Sequence, residues 1–223
     1  MKRTQNNLLL LNVLFATCLV IANVVSARLV CLGNLFGTEW IVPGAVFAYA
    51  VTYLCTDIIT EIWGEKQAKQ TVRLGFIAQI LASVLIYFTG FLPIASTAVE
   101  TGEAYTTLLG QNFWFTFGSL ASYVVSQAWD VKVFGTVRKW LVSKTGSNKH
   151  RWLYNNASTM TSQIWDTLIF IVIAFGFGLR LPWSVVGNMI IAQYAVKFLI
   201  AFVDTPFFYF FTRGNDRGVN DAE

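Results

Sequence analysis

The 223-residue chain is 55% hydrophobic and only 13% charged, with a mean hydropathy of +0.55, which excludes an ordinary soluble catalytic domain. Its net charge of +4 comes from Lys and Arg in short segments beside apolar runs, which argues against a nucleic-acid surface. One transmembrane domain over residues 1–223 accounts for the length, and an aromatic content of 16% suits helices with interfacial belts.

About 20 mainly apolar residues cross a hydrocarbon core. Six stretches qualify, so the expected fold is all-α and polytopic. The first covers 8–32 and is read as a retained helix, being longer than a signal h-region and lacking a small-residue cleavage site. The glycine-bearing stretch 31–42, CLGNLFGTEWIV, is read as a short hairpin outside the lipid. The second span, 42–63, ends with Tyr53, Asp57 and Glu61 at steps of four. Glu61 is close enough to Gly64 to be either a solvated helix end or part of a site, whereas Asp57 lies a turn deeper.

The third span is 71–95, followed by a loop at 96–112 that carries Glu100 and Glu103 and no basic residue. The fourth, 113–141, carries Ser119, Tyr123, Ser126 and Asp130 on one face, with Lys132 and Arg138 as snorkelling anchors. The fifth, 155–179, repeats that pattern with Asn155, Thr159, Ser162 and Asp166. The sixth, 184–212, holds Lys197 near its middle, Asp204 two turns on, and a kink-prone Pro206. Pro43, Pro93 and Pro182 fall at span ends.

A repeated phrase ties the fourth and fifth spans together. ASYVVSQAWD at 121–130 matches ASTMTSQIWD at 157–166 in Ala, Ser, Ser, Gln, Trp and Asp. The two spans run antiparallel, so their stripes have opposite polarity, the logic of inverted repeats in transporters. Asp57, Asp130, Asp166, Lys197 and Asp204 would together cost roughly 12–17 kcal/mol if each faced lipid. They must face one another, water or a ligand. Lys197 is read either as a packing ion pair with Asp204 or as a counter-charge for the carboxylates or a substrate contact.

Basic residues set the orientation. Lys2, Arg3, Lys66, Lys69, Arg73, the Arg138–Arg151 cluster, Arg213 and Arg217 fall on one side, against Arg28 and Arg180 on the other. Both termini are therefore expected in the cytoplasm.

An Asp carboxylate accepts two parallel hydrogen bonds, such as those of a guanine-like N1–H and exocyclic amine. Gln127 and Gln163 both donate and accept. Trp129 and Trp165 offer flat faces, for stacking or for belt and bundle packing. On these grounds the solute is small, planar and polar or cationic. HExxH, GxSxG, Walker A and GxGxxG patterns are absent, as is any Cys/His ligand cluster, so neither an enzyme nor a cofactor is expected. Cys18, Cys31 and Cys55 form no disulfide framework, and His150 sits in a basic loop.

TDIITEIWG at 56–64, SQAWDVKVFGTVRKW at 126–140, NNASTMTSQIWDTLIFIVIAF at 155–175 and YAVKFLIAFVDTPFFYF at 194–210 resemble, in order, four elements of the queuosine precursor transporter family, also called the vitamin-uptake-like family. The resemblance implies import of 7-cyano-7-deazaguanine and 7-aminomethyl-7-deazaguanine across the bacterial inner membrane. It also implies a six-helix form like the substrate-binding subunits of energy-coupling-factor transporters. Matching the motifs residue by residue carries a site role to Asp57, Glu61, Gln127, Asp130, Asn155, Gln163, Asp166 and Lys197. Trp129, Trp165 and Ser162 join them from the stripes. The expected partners are a deazapurine and the bilayer. A homo-oligomer is left open, and no docking surface for an ATPase module stands out. The rival readings are an energy-coupled vitamin-binding subunit and an intramembrane enzyme using the carboxylates as acid and base.

Overall fold

The computed structural model describes residues 1–35, 38–145 and 151–212, without side chains at 35, 138, 141–142, 144–145, 151–159, 201–205 and 208–209. The expected roles of Arg138, Lys144, Lys149, His150, Arg151, Asn155, Thr159, Asp204, Arg213 and Arg217 lie outside the described residues or side chains.

Helix α1 (Gln5–Val25) starts at Thr4, whose hydroxyl accepts from the Asn7 amide at 3.3 Å. It leads into an antiparallel hairpin, β1 (Leu29–Leu35) and β2 (Thr38–Pro43), at the position expected for one. Helices α2 (Val46–Trp63) and α3 (Glu65–Gly90) are joined through Gly64 alone, at φ 96°, where a side chain would be strained. A short α4 (Val99–Leu109), unforeseen in the acidic loop, precedes the 34-residue α5 (Asn112–Thr145). Helix α6 (Arg151–Ile171) continues as a π-helical stretch, Val172–Gly178, and α7 (Trp183–Thr212) closes the chain with Pro206 inside it. Pro182 immediately precedes α7, where its missing N–H removes no ladder bond.

Among the described residues, five helical stretches are long and apolar enough to cross a membrane: Gln5–Val25, Val46–Trp63, Glu65–Gly90, Met160–Gly178 and Trp183–Ile200. The expected fourth span, 113–141, forms α5 but is not one of these. Ser119, Ser122, Ser126, Gln127 and Asp130 interrupt its apolar run. Helix α5 packs chiefly along α6, while α1 packs on α2 and α3.

Among the described residues, two larger apolar clusters divide the bundle, beside a small one of Val42, Val46 and Ala192. Leu8, Leu11, Phe15 and Leu19 of α1 meet Cys55, Ile58, Ile59 and Ile62 of α2 and Ala68 of α3. Toward the hairpin, Phe115, Phe170, Ile171, Ala174, Phe175, Val186 and Met189 pack together, with Leu29 and Ile41 of the hairpin laid against them. At the other end the Met1 ammonium donates to the Phe211 carbonyl, so α1 begins where α7 finishes.

Candidate functional site

A cavity of about 390 Å³ lies between α1, α2, α3, α5, α6 and α7. That is within the range of about 300–1,000 Å³ common to small-molecule pockets. It reaches from Tyr49 and Ser119, near the hairpin, to Thr60, Glu65 and Lys69 at the α2–α3 turn.

Helical spacing builds its walls. Helix α2 contributes Tyr49, Thr52, Tyr53, Thr56 and Thr60, and α5 contributes Ser119, Ser122, Tyr123, Ser126 and Gln127. Gln163, Asp166 and Phe170 follow one face of α6. Gln193 and Lys197, four apart, face them from α7. Phe15, Leu19, Val72 and Phe76 of α1 and α3 form the apolar side.

At the centre the Lys197 ammonium lies 2.6 Å from Asp166 Oδ2 and donates to Gln163 Oε1 at 3.2 Å. The pair is largely shielded, with side-chain exposures of 11% and 23%. Lys197 is thus a counter-charge to a carboxylate on a neighbouring helix. Toward the hairpin, the Tyr49 hydroxyl is 3.1 Å from Ser119 Oγ, which donates to the buried Asn23 Oδ1 at 3.0 Å. This chain knits α1, α2 and α5 above the ion pair. At the opposite end, the exposed Lys69 and Glu65 pair at 2.6 Å.

The expected site residues separate into two groups. Gln127, Gln163, Asp166 and Lys197 line the cavity. Among the described lining residues Asp57, Glu61, Trp129, Asp130, Ser162 and Trp165 do not appear. Of the two repeat carboxylates, Asp166 lines this cavity and Asp130 does not. One turn beyond Ser126, Asp130 accepts a hydrogen bond from buried Ser162 at 3.3 Å, which directs its carboxylate into the α5–α6 contact. Trp129 and Trp165 meet each other there, with ring centroids 5.4 Å apart and planes at 56°. Asp57 and Glu61 are exposed on α2.

Tyr49, Thr52, Tyr53, Ser122 and Gln193 line the cavity without having been singled out as site residues in the sequence. Hydroxyls are ordinary in apolar helices and give little signal singly. Gln193 did give one, standing one turn before Lys197 in an apolar span. The residue is 4% exposed, and among the described residues its Oε1 has no hydrogen-bond partner.

A family profile described as "Putative vitamin uptake transporter" matches residues 43–211. The "Probable queuosine precursor transporter" of Bacillus subtilis (strain 168) is 30% identical over 166 residues, covering 72% of this chain and 67% of that protein. No solved structure matches. The profile takes in α2, α3, α5, α6 and α7, five of the six helices around the cavity. The chain belongs to the vitamin uptake transporter family, as a multi-pass membrane transport protein.

Proposed function

We propose that this protein imports queuosine precursors, 7-cyano-7-deazaguanine and 7-aminomethyl-7-deazaguanine, across the bacterial inner membrane. The observation that carries the reading is the Asp166–Lys197–Gln163 constellation facing a cavity of solute size in a member of this family. The name of the Bacillus subtilis relative supports the choice of solute. Asp166 and Gln163 offer acceptors to a guanine-like edge, Gln127 and Gln193 add amides, and Tyr49 and Tyr53 supply flat faces. Lys197 gives the half-buried Asp166 carboxylate a counter-charge.

Helix α5, packed chiefly along α6, also spans the membrane, and both termini lie in the cytoplasm. The cavity then reaches the cytoplasmic end of the bundle at Lys69 and Glu65, while the Asn23–Ser119–Tyr49 chain and the hairpin close the far end. Rocking of α6 and α7 against α1–α3 would alternate the openings. Asp57 and Glu61, exposed on α2, and Trp129, Asp130, Ser162 and Trp165, at the α5–α6 contact, lie outside the cavity lining and are assigned no contact with the bound solute.

The test uses cells that lack both precursor synthesis and an importer of their own. Supplied with external deazaguanine, they form queuosine in transfer RNA only when this chain is expressed. Asp166→Asn abolishes that while the protein remains inserted. Normal queuosine formation in the variant overturns the site. Uptake by the purified chain in liposomes is expected without an ATPase module, and a strict need for one would favour an energy-coupled binding subunit.

A further inference from the structure

Gln193 stands in the cavity wall with part of its amide unspent. It lines the open space from α7, one helical turn before Lys197, and is 4% exposed. Among the described residues its Oε1 has no hydrogen-bond partner. A buried acceptor in that state costs the empty protein free energy that an apolar side chain of similar size would not. Helices α6 and α7 are joined by the turn 179–182 and run antiparallel, so one turn back from Lys197 is one turn on from Asp166, the level of Phe170. The Tyr49 and Phe170 rings meet edge to face there, with centroids 6.4 Å apart and planes at 79°.

The donors around this level are engaged elsewhere. The Lys197 ammonium is drawn across to α6, donating to Asp166 Oδ2 at 2.6 Å and to Gln163 Oε1 at 3.2 Å. Thr52 Oγ1 donates to the Tyr49 carbonyl at 2.7 Å. Ser119 gives its one proton to Asn23 Oδ1, so the Tyr49 hydroxyl is the donor in its 3.1 Å contact with Ser119 Oγ. A solute N–H is the partner that Gln193 is set to receive. The carboxylate side leads to the same solute. A guanine-type edge presents a ring N–H beside an exocyclic amine, and a free carboxylate takes both at once. Asp166 is not free, because Lys197 holds its Oδ2. It takes one donor of such an edge, and the second needs another acceptor nearby. The terminal torsion of a Gln side chain is broad, so a rotation turns Oε1 toward the space the residue lines.

We infer that Gln193 is the specificity-determining residue for the amine of a guanine-type edge, its Oε1 accepting from the 2-amino group while Asp166 takes the adjacent ring N–H. The inference rests on the proposed function and deepens it by naming the residue that tells a 2-amino deazapurine from one lacking that group. A base without the amine leaves Gln193 as unpaired as it is in the empty protein, so it binds more weakly. The role is separate from that of the ion pair, since Gln193 carries no charge and its replacement leaves Asp166 and Lys197 matched.

Equilibrium dialysis of the purified full-length protein tests this with 7-cyano-7-deazaguanine and its 2-deamino counterpart, 7-cyano-7-deazahypoxanthine. The wild type is expected to bind the guanine form about tenfold more tightly. In Gln193→Met that ratio falls to about one, while the empty variant melts at or above the wild-type temperature, having lost an unpartnered buried acceptor. Should Gln193→Met fail to fold, Gln193→Asn, which keeps the amide but draws it back by a methylene, is read in the same way and is also expected to flatten the ratio. A folded variant that weakens both ligands alike, or that keeps the preference, overturns the inference. So does a wild type that binds the two bases equally. In each of those cases the proposed function stands. Failure of the wild type to bind either base removes the proposed function, and this inference with it.

Discussion

Two of the polar regions inside the bundle are built differently. Between α3 and α5, Gln79, Ser83, Asn112 and Thr116 form a neutral cluster. Gln79 Nε2 donates to Thr116 Oγ1 at 2.7 Å, and Ser83 Oγ donates to Asn112 Oδ1 at 2.7 Å. Gln79, Asn112 and Thr116 are all buried, and none of the four lines the cavity. In the second region Asp166, Lys197 and Gln163 bridge α6 and α7 at the edge of open space. Uncharged groups that bond mainly to each other hold helices together. A charged pair beside a cavity, with unused acceptors around it, gives little stability over apolar packing and is the arrangement a solute can read.

The sharpest way to break this contrast is to remove one charge. Lys197→Met leaves Asp166 without its counter-charge, so uptake is lost and stability falls by about 3–5 kcal/mol, toward the lower figure where cavity water reaches the carboxylate. Thermal unfolding in detergent together with an uptake assay checks both. The double change Asp166→Asn with Lys197→Gln recovers most of the stability and none of the transport.

A packing change between the two regions comes next. Gly75 lies one turn before Gln79 on α3, and a Cβ there would sit 2.4 Å from the ring of Phe15, which lines the cavity. Gly75→Val is expected to cost about 1–3 kcal/mol and to narrow the cavity, lowering affinity along with melting temperature.

Smaller effects belong to the neutral cluster. Gln79→Leu removes its interhelical bond and lowers stability by about 1 kcal/mol, with uptake per inserted molecule retained. Thr167, fully buried beside Asp166, has a hydroxyl with no partner among the described residues. The isosteric Thr167→Val is therefore expected to be neutral or stabilising by up to about 1 kcal/mol in the same unfolding assay.

The helices were legible because long apolar runs in lipid have few alternatives. The hairpin was legible from its glycines and its position between two spans. The π-helical stretch after Ile171 was not. There Leu179 N–H reaches back to the Ala174 carbonyl at 3.2 Å, and Gly178 faces Trp114 so closely that an added Cβ would lie 2.7 Å from the Trp114 Cβ. That widening answers a tertiary contact, which no local pattern announces.

At the site, Asp166 and Lys197 stood out as charges in apolar spans, yet their pairing spans 31 residues and needed the fold. The repeat made Asp130 and Asp166 look equivalent. Spacing fixed the face of each helix but not where α5 and α6 close against each other, and that closure keeps Asp130 out of the cavity. Tyr49 and Thr52 were hidden by being common residue types.

The central claim is that the cavity beside the Asp166–Lys197 pair is where the solute sits. The most direct measurement is thermal stabilisation of the purified protein by 7-cyano-7-deazaguanine, compared among wild type, Gln79→Leu and Asp166→Asn. The account predicts stabilisation in the first two and none in Asp166→Asn. Undiminished stabilisation of a folded Asp166→Asn protein would contradict it.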